Sequence, residues 1–100
     1  MFMTGFIGDS PNGHHYDDSA EQIESVFAKM RAVLEQAGFD FQHLVEMTNY
    51  HVGLRDHLDK LKCIRANYVK EPFPAWTAIE VAGFVRDGAI VEIQCIAQRA

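Results

Sequence analysis

The residues able to do chemistry are few, and most of them stand apart from one another. Glu92 sits in Val91-Glu92-Ile93-Gln94-Cys95-Ile96, a carboxylate flanked by apolar neighbours. That setting suits acid–base work better than a solvated surface does. Trp76, the single tryptophan, follows Pro74-Ala75 and is read either as a packing residue or as an aromatic wall for a ligand. Arg65 stands in a helix-like stretch and Arg86 beside a turn. The simplest reading of both is solvated surface. His14-His15 are adjacent in a turn-rich loop, without the Cys partners or the i,i+4 spacing of a metal site, so no metal is expected. His51 and His57 form no recognisable set with a nucleophile, and the chain has neither a Gly-rich phosphate loop nor a Ser-His-Asp order. Cys63 and Cys95 are too few for a disulfide framework and read as two small core residues.

The elements that must position these groups follow from spacing. Phe2 to Gly8 is apolar and β-prone and leads into Asp9-Ser10-Pro11-Asn12-Gly13, which is turn chemistry. Ile23, Val26, Phe27, Met30, Val33, Leu34 and Ala37 recur at three- and four-residue intervals, which predicts an amphipathic helix. Asp18 and Glu21 fit a capping box at its start, and Gly38 fits its stop. Val45–Val52 reads as a strand. Leu54–Val69 returns to helical spacing until Pro72 and Pro74 end it. Trp76–Ala82 and Ala89–Ala97 read as strands around Arg86-Asp87-Gly88, a hairpin signal. The order is β-α-β-α-β-β, an α+β chain with two helices on one face of a mixed sheet.

One hundred residues, 48% hydrophobic and 23% charged, fit one domain with its own core. Fourteen acidic residues against nine scattered basic ones give a net charge of −5, which argues against nucleic acid as a partner. No apolar run approaches the roughly 20 residues of a membrane span, and the start lacks the basic region of a secretory signal. A reduced, cytoplasmic setting is expected. Val91, Ile93, Cys95 and Ala97 line one face of the last strand while Ile90 and Ile96 lie on the other. Two helices cover only one face of such a sheet, so the second is expected to meet another copy of the chain.

At this point the pieces become recognisable together. Pro74-Ala75-Trp76-Thr77-Ala78-Ile79-Glu80-Val81-Ala82 and Ala89-Ile90-Val91-Glu92-Ile93-Gln94-Cys95-Ile96-Ala97 resemble the C-terminal signature of the Rid family. These are the YjgF-type reactive-intermediate deaminases, which also carry the name L-PSP endoribonuclease. Thr4-Gly5-Phe6-Ile7, Glu21-Gln22, Ala32–Gly38 and Leu44–Tyr50 resemble the family's earlier elements, in order. The resemblance implies a single Rid-type domain over residues 1–100, with most of the family's first strand lacking a counterpart. It also implies a chorismate-mutase-like fold, assembled as a homotrimer with small-molecule clefts between subunits. The implied activity is cofactor-free hydrolysis of an imine or enamine, with no metal.

Carried across by position, the resemblance makes Glu92 the water-handling carboxylate. Thr4, Gly5, Thr77 and Tyr68 become cleft residues. The family's carboxylate-clamping arginine is replaced by Trp76, and a helix asparagine by Arg65. An indole cannot clamp a carboxylate as a guanidinium does. The expectations are therefore a deaminase of altered specificity, a trimer that binds without catalysis, or, least supported by the charge, an endoribonuclease. A tryptophan wall favours flat, uncharged or cationic ligands, and Arg65 is the candidate replacement cation.

Overall fold

The computed structural model describes residues 1–8 and 18–99. Four strands, β1 (Phe2–Ile7), β2 (Leu44–His51), β3 (Ala75–Glu80) and β4 (Val91–Ala97), form one mixed sheet in the order β1-β4-β2-β3. Helices α1 (Ser19–Gln36) and α2 (Leu54–Tyr68) pack on one face of it. The turn expected at 9–13 and the His14-His15 pair lie outside the described residues.

Helix α1 forms where the spacing predicts it, and both ends are chemically closed. The Asp18 side chain accepts from the Ala20 amide at 2.9 Å. At the other end the Gly38 amide donates to Glu35 O and the Phe39 amide to Leu34 O, the paired bonds of a Schellman stop. Gly38 holds φ +79°, which only glycine adopts cheaply. Ile23, Val26, Phe27, Met30 and Leu34 are fully buried against Met47, Leu61, Val91 and Ile93. A short 3-10 turn, Phe41–His43, then carries the chain into β2.

The last two strands correct the sequence reading. Residues Arg86-Asp87-Gly88 do turn, but β3 and β4 do not pair. Strand β2 lies between them, parallel to β3 and antiparallel to β4. The two strands are thus about 9.6 Å apart, two strand spacings. A turn signal gives a local reversal; it does not say which strand the returning chain will meet. Here α2 carries β3 back parallel to β2, and β2's other edge is the one left for β4.

Register fixes the faces. Met47, Asn49 and His51 pair across with Cys95, Ile93 and Val91, and with Trp76, Ala78 and Glu80, on the helix-covered side. Thr48 and Tyr50 pair with Gln94 and Glu92, and with Thr77 and Ile79, on the bare side. Phe2, paired with Ile96, is 79% exposed and Ile79 is 42% exposed. Cys95 is core, its thiol pushed up to about 12 by burial, whereas Cys63 is exposed on α2 and does not join the core as expected.

Candidate functional site

Trp76 enters from β3 on the covered face, half-buried and level with Met47. Above it the guanidinium of Arg65, delivered by the last turns of α2, lies 3.8 Å from the ring centroid. Met47, Arg65, Val69, Phe73, Pro74 and Trp76 together line an open cavity of about 180 Å³. Pro72 and Pro74 turn the chain from helix to strand here, which brings Phe73 over the mouth. Desolvation pulls the Arg65 guanidinium below its ordinary value, yet a group starting that high keeps its charge near neutrality. The Trp76 Nε1 is buried and, among the described residues, has no acceptor.

This geometry changes the reading of Trp76. An open indole face attracts flat or cationic ligands. The face seen here is already covered by a cation, so the pair presents positive charge to the cavity, and anions fit it better. Arg65, expected most simply on the solvated side of its helix, is instead the cavity's only charged lining residue.

The other expected site residues lie elsewhere. Thr77 is next to Trp76 in sequence but alternation places it on the bare face, exposed. Glu92, half-buried, is on that same bare face opposite Tyr50, one strand from Ile79. Thr4 and Gly5 form the irregularity in β1 between Met3 and Phe6, with Gly5 at φ +80°. The strand order puts them at the far edge of the sheet from β3, about 14 Å away over three strand spacings. Tyr68 turns toward α1: its hydroxyl donates to Glu24, its ring stacks on Phe27 at 5.2 Å, and Arg31 lies 4.4 Å above it. Burial first, then the Glu24 carboxylate, raises the Tyr68 phenol above its ordinary value.

A single chain therefore brings Arg65 and Trp76 together and leaves Glu92, Thr77, Thr4, Gly5 and Tyr68 apart. Sequence reasoning missed Met47, Val69 and Phe73 as lining residues; strand parity with Trp76 was the available signal for Met47. It also missed a buried contact between His51 Nδ1 and His57 Nε2 at 2.9 Å. Among the described residues no group of three or more His, Cys, Asp or Glu side chains could hold a metal. No described helix is long and apolar enough to cross a membrane.

A two-helix layer on a mixed four-stranded sheet is also the fold of the Rid/YjgF structures that this chain resembles. The endoribonuclease L-PSP family model matches residues 1–99. The chain belongs to that family, the Rid or YjgF family. It is 26% identical over 88 residues to the RutC family protein YjgH of Escherichia coli, covering 84% of this chain and 67% of that one. It is 28% identical over 99 residues to the human 2-iminobutanoate/2-iminopropanoate deaminase, covering 97% and 71%. The crystal structure of RidA from an Antarctic Psychrobacter superposes with TM-score 0.87 at 27% identity, over 96% of this chain and 77% of that one.

Proposed function

We propose that this protein hydrolyses the C–N bond of a small imine or enamine carrying a carboxylate, using Arg65 in place of an arginine at position 76. The observation that carries the reading is the Arg65 guanidinium seated 3.8 Å over Trp76 at the wall of a cavity large enough for a few heavy atoms. The planar fork donates two parallel hydrogen bonds to a carboxylate. The indole beneath holds the fork flat, and Val69, Phe73 and Pro74 shed water around the bound acid. The kinship with the human deaminase supports the same chemistry.

Hydrolysis needs a group that handles water, and none of the six lining residues is an acid or base. Glu92 takes that role in a cytoplasmic homotrimer whose clefts lie between subunits. The bare face carries Phe2, Tyr50, Ile79 and Ile96, apolar surface that a neighbouring sheet would cover. In such an assembly Thr4 and Gly5 of one chain approach the β3 edge of another, where Trp76 lies on the covered face and Thr77 on the bare one. The protein uses neither metal nor organic cofactor in this scheme.

The assay is the decay of 2-aminoacrylate generated in situ, with wild type, Arg65→Gln, Glu92→Gln and Trp76→Arg. Acceleration by wild type that falls at least tenfold in Arg65→Gln and in Glu92→Gln supports the proposal. Full activity in Arg65→Gln overturns the clamp, and full activity in Glu92→Gln overturns the water-handling role. The absence of a carboxylate from the lining favours a second reading, a trimer that binds small carboxylates without turnover. Wild type that binds pyruvate but leaves 2-aminoacrylate decay unchanged would establish it.

A further inference from the structure

Two buried imidazoles face each other where α2 begins. His51 is fully buried on the covered face of β2, and His57 is 5% exposed. His51 Nδ1 and His57 Nε2 are 2.9 Å apart with ring centroids at 5.0 Å. His57 has φ −133° and ψ 16°, the one residue within α2 that leaves helical geometry. Residues 54–56 thus form a first turn that is jointed to the rest of the helix. Gly53 at φ +67° joins it to β2 on the other side. The hydrogen bonds at this turn run from the Leu54 amide to Glu80 Oε1 at 3.1 Å, from the Asp56 amide to Gly53 O at 2.9 Å, and within the histidine pair, while the Leu54 side chain packs against the core.

Hydrogen-bond chemistry limits how many protons the pair carries. Between two ring nitrogens one must donate and one accept, which a neutral or a singly protonated pair satisfies. With both rings protonated to imidazolium, both facing nitrogens are donors and both rings are cations, 2.9 Å apart and out of water. His51 Nε2 has no partner among the described residues to share a charge with, and neither does the amide of Asn49, two residues back on the same face. The titratable neighbours are Asp56 and Lys60 from α2 and Glu80 from β3, in register with His51. On β4 the residue in register is Val91, which carries no charge.

We propose that the His51–His57 pair is an acid-operated latch on the first turn of α2: it holds the turn to the sheet while at most one of the two rings is an imidazolium and releases it, about the break at His57, when both are. Burial depresses both imidazoles, His51 to about 4, with each other's charge adding to the effect on His51. The open form restores ordinary values near 6.5, so it binds more protons and gains on the closed form as pH falls below 6.5. Above that pH the latch is shut.

The test is amide hydrogen exchange at Leu54 and Asp56, corrected for intrinsic chemistry, between pH 7.5 and pH 5. Protection in wild type falls at least tenfold. In His57→Gln, whose side chain accepts from a protonated His51 without a second charge, it falls less than threefold. His51→Val, which likewise leaves one imidazole and no pair, supplies a second variant should the first fail to fold, with the same fall of less than threefold expected. Unchanged protection in wild type, or an equal fall in the variants, overturns the latch. So does a wild-type imidazole ¹⁵N titration in which both rings take up protons near 6.5 while the two amides stay protected.

Discussion

Replacing Arg65 by glutamine, and separately by lysine, distinguishes the roles of its charge and its fork. In the free protein the guanidinium lies over a half-buried indole, a cation–π contact worth about 1 kcal/mol, so the variant loses about that much stability and stays folded. In the complex with a carboxylate it loses charge-assisted hydrogen bonds worth about 1.5–3 kcal/mol. That is a roughly 10- to 150-fold rise in Kd. Trp76 is the single tryptophan, so its emission reports on its own cavity without labelling. Titration with pyruvate shifts the emission of wild type, because a carboxylate drawing on the guanidinium alters the charge above the ring. Arg65→Gln gives a weaker titration by the factor above, and Arg65→Lys falls between the two, keeping charge and losing the planar pair of donors. A Kd in Arg65→Gln within twofold of wild type would refute the reasoning, as would wild-type emission that ignores pyruvate at every concentration.

Three further expectations concern the frame around the site. Gly8→Ala places a Cβ 2.3 Å from the carbonyl oxygen of Gln22, a backbone atom that cannot swing away, and chemical denaturation should show a loss of at least about 1–3 kcal/mol. Met30→Ala empties a fully buried position between α1 and the sheet and costs about 2–5 kcal/mol in the same measurement, with little effect on pyruvate binding. A thiol reagent at pH 8 modifies Cys63 within minutes and spares Cys95, whose thiol burial holds up to about 12, until the protein is unfolded. Two fast equivalents in the native state would contradict the placement of Cys95 in the core.

The helices were legible because their signals are local. Asp18, Gly38 and the 3.6-residue recurrence of Ile23, Phe27, Met30 and Leu34 act within a few positions of one another, and the helix starts, stops and buries its face where they place it, although Asp18 caps through the Ala20 amide and not in the box expected with Glu21. Strand partnership is not local. The Asp87-Gly88 reversal reads the same whether β4 pairs with β3 or crosses past β2, and only the tertiary packing of α2 decides it. The site suffers from the same limit. Trp76 and Thr77 are neighbours in sequence and on opposite faces in space, and the partner of Trp76 is eleven positions back on a helix. The Arg65–Trp76 stack was readable as a pair of unusual residues but not as a contact. The His51–His57 bond was hidden for a different reason, since a break in α2 at His57 is what turns that ring inward.

The strand order also sets a timetable for biosynthesis. β1 pairs only with β4, and β4 separates β1 from β2, so residues 2–7 wait for residues 91–97 before they have a neighbour. On a ribosome adding about 5–20 residues per second, β1 spends roughly 4–18 s as an unpaired apolar segment. α1, the β2-α2-β3 unit and their shared core can condense in that interval, since their contacts are closer in the chain. The sheet closes last, from its middle, in a step of high contact order and correspondingly slow rate. In this window Phe2, Phe6 and Ile7 lie on an unpaired strand edge, the kind of surface that pairs with another chain when left open.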